Sequence, residues 1–324
     1  IAIADVDGDG DLDVWSADGQ SAGRLYLNAA GSFSVAPSSW GVQDGAPSIS
    51  GCFGDYDNDG RPDLYVCCAG PNRLYRNVDG ERFEDVTGIS RTGGGNVFTT
   101  QAVMADLDAD GDVDIYCANL ADIDAISDGR QRWPSRERPA KNNLFSNDRT
   151  GTFTDIAERT GTAGRHLSRG VIAADLDGDR DADIVVLGGS YQPLLVYRND
   201  RIWRFTEQTA ASGLANVLAD SMSASDLDGD GQPELLVWSG QPGIYANLGR
   251  MRFEERQPLD RWPGCVLDAD NDGDKDLLTL DNLRLKTPEG WRDEPIASSL
   301  HPFTDVRSIV PADMDGDGVL DAVI

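Results

Sequence analysis

One nine-residue pattern constrains this chain more than any other feature. Asp-x-Asp-x-Asp-Gly-x-x-Asp, set between two short apolar runs, recurs seven times in 324 residues. It reads DVDGDGDLD at 5–13, DYDNDGRPD at 55–63, DLDADGDVD at 106–114 and DLDGDRDAD at 175–183. It returns as DLDGDGQPE at 226–234, DADNDGDKD at 268–276 and DMDGDGVLD at 313–321. Successive starts are 50, 51, 69, 51, 42 and 45 residues apart. Length alone would admit two domains, but a period of about 40–50 residues is that of one four-stranded propeller blade, so the repeat decides.

The flanks predict strands. The run before each loop ends in a small residue (Ala4, Gly54, Ala105, Ala174, Ser225, Ala312), with Leu267 the exception. Small side chains suit an innermost strand A, where blades crowd around the axis. The run after each loop is aliphatic or aromatic, as in Leu64-Tyr65-Val66 and Ile184-Val185-Val186, and predicts strand B. Strands C and D follow, as in Leu74-Tyr75-Arg76-Asn77 and Arg82-Phe83-Glu84-Asp85. The Asn with Gly or Asp between them reads as a hairpin turn, and the lone Phe of strand D as a plug between blades. No helical periodicity is sustained. The expected fold is all-β: one seven-bladed propeller over 1–324, an acidic loop joining strands A and B of each blade. Only strands A and B of the last blade are legible, at Ser308-Ile309-Val310 and Ala322-Val323-Ile324.

Three carboxylates at alternate positions of a curling loop can converge on one point, and glycine at position six permits the sharp turn. Several hard oxygen donors in loose geometry suit calcium; magnesium demands a tighter octahedron, and zinc would want His or Cys, which the loops lack. Position seven is Asp11, Arg61, Asp112, Asp181, Gln232, Asp274 or Val319, so no side chain is required there and a backbone carbonyl would serve. An EF-hand loop would run into a helix, and thrombospondin-type arrays are spaced more closely. Uncoordinated acidic turns would leave four carboxylates repelling one another. Up to seven calcium ions are expected. Arg180 replaces the glycine of the fourth loop, where a positive-φ side chain costs about 1 kcal/mol and its guanidinium would sit near the ion. The site at Asp175–Asp183 is therefore expected to be the weakest. Seven ions would take the formal charge of −28 to −28 + 14 = −14.

The loops resemble the FG-GAP and VCBS repeats of integrin α-subunit propellers and many secreted bacterial proteins. The phrases NRLYRNVDGERFEDVTGIS at 72–90 and NNLFSNDRTGTFTDIAERTG at 142–161 look like the cartilage acidic protein (ASPIC/UnbV-associated) branch. The resemblance implies that positions one, three, five, seven and nine of every loop are ligands. These are Asp5, Asp7, Asp9, Asp11 and Asp13; Asp55, Asp57, Asp59, Arg61 and Asp63; Asp106, Asp108, Asp110, Asp112 and Asp114. The fourth and fifth sets are Asp175, Asp177, Asp179, Asp181 and Asp183, then Asp226, Asp228, Asp230, Gln232 and Glu234. The last two are Asp268, Asp270, Asp272, Asp274 and Asp276, then Asp313, Asp315, Asp317, Val319 and Asp321. It implies little about activity, since the family spans adhesion receptors, lectins, surface proteins and a few polysaccharide lyases.

The acidic balance, 56 acidic against 28 basic residues, argues against nucleic acid as a partner. No apolar run is long enough to span a membrane. Residue 1 already lies in an apolar run, so the sequence reads as a segment of something longer. Cys52 and Cys67 flank the second loop and could face each other as a disulfide; the alternative is small buried hydrophobes. The long third interval holds an insertion between strands B and C, Ala118 to Lys141, with Arg130, Arg132, Trp133, Arg136 and Arg138. It would emerge opposite the acidic loops and could anchor an acidic protein surface or an anionic glycan. The bland reading is a solvated loop whose arginines pair with nearby aspartates. Arg165, His166 and Arg169 would extend that face, with His166 an ordinary loop residue. Gly93-Gly94-Gly95 reads as a flexible turn. Two histidines and no nucleophile elbow argue against an enzyme. The expectation is an extracellular or cell-surface binding module for a protein or glycan. The alternatives are a head-to-tail fibre subunit completed by strand donation and a lyase-like enzyme.

Overall fold

The computed structural model describes residues 1–42, 47–123, 139–238, 242–258, 263–279, 282–288, 290–295, 310–315 and 320–323. Six four-stranded antiparallel sheets follow one another along the chain, each in the order A-B-C-D, and a two-stranded seventh sheet closes the series. Blade one is Ala2–Ala4, Asp13–Ser16, Arg24–Ala29 and Ser32–Val35; blade two is Ser48–Gly54, Asp63–Cys68, Arg73–Val78 and Arg82–Asp85. Blade three is Val97–Ala105, Asp114–Asp122, Asn143–Asn147 and Phe153–Asp155; blade four is Gly170–Ala174, Asp183–Leu187, Leu195–Asn199 and Phe205–Glu207. Blade five is Ser221–Ser225, Glu234–Trp238, Gly243–Asn247 and Phe253–Pro258; blade six is Pro263–Leu267, Asp276–Thr279, Asn282–Thr287 and Gly290–Pro295. The seventh sheet is Val310–Ala312 paired with Asp321–Val323. Among the described residues the architecture is thus a propeller of six complete blades and the A and B strands of a seventh.

The register is the same in every repeat. The small residue that ends strand A pairs with position nine of the loop: Ala4 with Asp13, Gly54 with Asp63, Ala105 with Asp114, and so on to Ala312 with Asp321. Strand B is buried on both faces, because its period of two sends alternate side chains to different neighbours. In blade two, Leu64 and Val66 pack with Trp15 and Leu25 of blade one. Tyr65 and Cys67 pack with Ile115 and Phe145 of blade three. The same layering continues through Tyr116 and Ile184, Val185 and Leu235, Leu236 and Leu277. It returns to the start where Ala312 and Met314 pack with Val14, and Ile3 and Tyr26 lie against them. The outer strand of blade one is exposed along its length.

The Phe plugs hold for Phe83, Phe153 and Phe253, which are buried; Phe83 lies 6.1 Å from Trp40 and Phe153 lies 5.9 Å from Tyr56, centroid to centroid. Phe33 departs from the expectation, being 46% exposed. The Cys52–Cys67 disulfide is not formed, and all five cysteines are free. The register explains why: Cys52 faces Tyr65 and Cys67 faces Ser50. The two cysteines are therefore diagonal neighbours, about 7–8 Å apart in such a ladder, beyond the reach of one S–S link. Two four-residue helices, Thr87–Ser90 and Ala157–Thr160, occupy equivalent positions after strand D of blades two and three. Among the described residues no helix is long and apolar enough to cross a membrane.

Candidate metal centres

Each acidic loop is folded by its own carboxylates before any ion is considered. In the first, Asp5 accepts from the N–H of Gly8 at 2.8 Å and of Gly10 at 3.0 Å, while Asp9 accepts from Asp11 N–H at 2.9 Å. The bond from position six to position one recurs from Gly60, Gly111, Arg180, Gly231 and Gly273 at 2.8–3.1 Å. Position six is left-handed in the first six loops, with φ between +75° at Arg180 and +97° at Gly10. Position four is left-handed too, through Gly8, Asn58, Ala109, Gly178, Gly229 and Asn271, with φ between +58° and +83°. That second requirement escaped the sequence reading, although the abundance of Gly and Asn at position four is its signature.

This curl aims the side chains of alternate positions inward. Carboxylate oxygens of positions one, three and nine lie within 4.8 Å of one another in the first three loops: Asp5, Asp7, Asp13; Asp55, Asp57, Asp63; Asp106, Asp108, Asp114. In the fourth and fifth the group is positions one, three and five: Asp175, Asp177, Asp179 and Asp226, Asp228, Asp230. Oδ1 of Asp57 and Oδ1 of Asp268 are buried without a hydrogen-bond partner. Clustered carboxylates with orphaned oxygens form a hard, all-oxygen donor set that fits a calcium ion. Without an ion the clustering is unfavourable. Burial, then the neighbouring aspartates, push the carboxyls of Asp108 and Asp177 above their usual range; Asp7 rises with them, burial leading.

Position nine has a second task. Asp13 accepts from Val6 N–H and Asn28 N–H, both at 2.8 Å, and so ties the loop to strand C of its own blade. Asp63, Asp114 and Asp183 repeat this with Asn77, Asn147 and Asn199. Burial outweighs those donors and raises Asp13 to about 6 and the other three to about 7. The strand C asparagine then reaches the preceding blade. Asn77 Nδ2 donates to Val6 O at 2.8 Å, Asn147 to Tyr56 O at 2.8 Å, Asn199 to Leu107 O at 2.7 Å and Asn247 to Leu176 O at 2.9 Å. Lys286 Nζ does the same to Leu227 O at 2.6 Å, and Asn28 closes the ring on Met314 O at 2.6 Å. The sequence reading took these asparagines as hairpin residues. They are that also, since Asn77 Oδ1 accepts from Gly80 N–H at 3.1 Å. The link between loops was invisible because it joins residues 59 to 92 positions apart, and 286 apart where Asn28 closes the ring.

Position seven finds its partners outside the carboxylate cluster in loops one, four and six, as a backbone ligand there would allow, whereas Arg61 of loop two turns back to Asp59 at 3.4 Å. Asp11 accepts from Ala30 N–H at 2.7 Å, Asp181 meets Arg201 at 2.5 Å and Asp274 meets Lys286 at 3.1 Å. A Cβ at the position-six glycines of loops one, two, three, five and six would meet nothing within 4 Å. Arg180 is exposed at the equivalent place, and among the described residues no ion pair joins it to the carboxylates of its loop. Of the seventh loop, Asp313 and Asp315 are described and Asp321 lies in a strand; Asp317 and Val319 lie outside the described residues.

A family model described as an FG-GAP-like repeat matches residues 5–66, 55–117, 121–186 and 175–237. The chain belongs to the FG-GAP-like repeat family. No curated protein sequence matches it. Many solved structures resemble this FG-GAP-like propeller in fold, three of them as follows. A structure titled for specific recognition of non-reducing terminal N-acetylglucosamine by an Agrocybe aegerita lectin superposes with a TM-score of 0.58 at 16% identity, over 92% of this chain and 80% of the lectin. BBS1N, solved in complex with ARL6DN, gives 0.53 at 13% identity, over 89% and 79%. A Lactobacillus plantarum protein gives 0.51 at 11%, over 91% and 83%.

Arg130, Arg132, Trp133, Arg136 and Arg138 lie outside the described residues. The base of that insertion is described: Lys141 pairs as an isolated bridge with Arg165, so the two connections do share a face. Lys141 also forms an ion pair with Glu158. His166 is not an exposed loop residue; it is 7% exposed, and burial lowers its pKa. Gly93 is held by Asn72 N–H donating to its carbonyl at 2.9 Å, so the triple glycine is a bonded turn.

Proposed function

We propose that this propeller is a calcium-stabilised binding module that works outside the cell or on its surface and recognises a protein or a glycan. The observation that carries the calcium part is the convergence of three carboxylate oxygens within 4.8 Å in successive, identically folded loops. Calcium would be held by positions one, three, five and nine and by the position-seven carbonyl, and would supply charge neutralisation and loop rigidity. The chain's own residues supply the rest: left-handed positions four and six curl the loop, and position nine ties it to strand C. Millimolar external calcium would keep such loops filled, which supports the location. The lectin and the protein complex among the fold relatives support a binding role, and we read the chain as a binder rather than an enzyme.

Light scattering and thermal melting in calcium and in chelator test the first part. A monomer that melts much lower in chelator is the expected result; identical melts would remove the metal reading. A calcium-dependent polymer would instead favour the fibre reading. Glycan arrays and protein capture with the wild type and an Arg130/Arg132/Trp133/Arg136 quadruple alanine variant test the second part. If every interaction survives in that variant, the insertion is not the binding patch.

A further inference from the structure

The loops are alike in backbone and unlike in what touches their carboxylates. In loop two, Arg76 of strand C lays its guanidinium on the cluster, with Nε 2.6 Å from Asp57 Oδ2 and Nη2 3.6 Å from Asp59 Oδ2, while Arg61 meets, of the cluster, Asp59 alone at 3.4 Å. In loop five, Arg256 of strand D reaches Asp228 Oδ2 at 2.8 Å. Both contacts fall on position three, in the middle of the donor set. In loop three, Arg149 falls on positions five and seven, Asp110 and Asp112. In loop six, the Lys286 ammonium meets Asp274 at position seven. In loops one and four no described cation meets the carboxylates of positions one, three or five; Arg201 meets Asp181 at position seven.

We propose that Arg76 and Arg256 are tethered cations that compete with the bound ion at position three, making loops two and five the weak, exchangeable sites of the ring and loops one and four the tight ones. This rests on the calcium reading above. A cation beside a ligating carboxylate has two opposed effects. It orients the carboxylate, as outer-sphere partners of metal ligands do, which favours binding. It also repels the arriving ion. Arg76 is 43% exposed, so the orienting contact is an exposed ion pair, which contributes at most a few-fold. One unit charge about 6 Å from a divalent ion costs on the order of tenfold in affinity even at the dielectric constant of water. Repulsion therefore wins. The same reasoning separates loop four from its expected place as the weakest. The left-handed strain at Arg180 is already present in the ion-free loop, with the Asp175 bond made, and so does not discriminate between filled and empty states.

Loop two carries its own reporter. Tyr56, at position two, is the single tyrosine within the seven motifs, and it can sensitise terbium luminescence. Terbium is titrated into the full chain and displaced with calcium. Tyr56→Phe marks the loop-two component by its loss. In Arg76→Gln that component should saturate at roughly thirtyfold lower terbium, the same Coulomb estimate applied to a trivalent ion, and should need more calcium to be displaced than in the wild type, while Arg76→Lys, which keeps the charge, should stay weak. Counting sites with a chromophoric calcium chelator should show one site moving from the weak to the tight class in Arg76→Gln, and likewise in Arg256→Gln, which repeats the test if the first variant misfolds. Unchanged or weaker loop-two binding in Arg76→Gln overturns the proposal while leaving the calcium reading intact, provided chelation still lowers the melt. Absence of any calcium or terbium binding overturns both.

Discussion

Asn77→Ala probes the ladder that joins one acidic loop to the next. Asn77 is fully buried, and its side chain donates to Val6 O at 2.8 Å and Pro62 O at 3.3 Å and accepts from Gly80 N–H at 3.1 Å. Truncation leaves Val6 O and Gly80 N–H without those partners. Two such groups at about 1–3 kcal/mol each, less relaxation, give about 3 kcal/mol. The loss should appear in two places: the blade-two hairpin, and loop one, which belongs to a different blade. Hydrogen–deuterium exchange in saturating calcium reads both. Amides of residues 5–13 should lose protection by roughly a hundredfold, the equivalent of about 3 kcal/mol in a local opening. Loops three to five, which do not touch Asn77, serve as the internal control. If the blade-two hairpin loosens and loop one keeps its protection, the Val6 bond does not couple the loops and the reasoning is wrong.

Four further outcomes are expected. Chelation should lower the melting temperature, because each loop filled at a hundred times its dissociation constant contributes about 2.7 kcal/mol. In chelator, stability should rise as pH falls from 8 towards 5. Asp63, Asp114 and Asp183 are raised to about 7 in the fold, above their usual range, so the folded state binds more protons through that window and stability falls as pH rises; calcium, which favours the charged form, should flatten the profile in parallel melts. Arg180→Gly should stabilise the protein by about 1 kcal/mol, by relieving a non-glycine left-handed residue, without changing the number of ions bound by calorimetry. Ellman's reagent should find five thiols after denaturation and react slowly with the native protein, since burial raises the thiols of Cys52, Cys67 and Cys117 and lifts Cys68 and Cys265 to about 11.

The repeat made the fold legible. A loop with Asp at fixed alternate positions, a small residue before it and an apolar run after it could be read one blade at a time, because strand pairing within a blade is local and every copy votes for the same register. The carboxylates that the fold gathers in threes, at positions one, three and nine or one, three and five, were legible for the same reason. Tertiary structure decided what depends on neighbours. Cys52 and Cys67 looked paired in the linear sequence, but the register sets them diagonally. Arg180 was legible as a departure from the motif, but that its left-handed position is an open one, with nothing within 4 Å of a Cβ at the equivalent glycines, came from the fold. Arg76 and Arg256 looked like ordinary strand residues until the fold laid them on position three of their loops. Asn28 looked like a hairpin residue until it was seen to donate to the carbonyl of Met314, 286 residues away, and close the ring. Spacing along a strand is written in the chain; which side chain meets which loop across a blade junction is settled only when the blades pack.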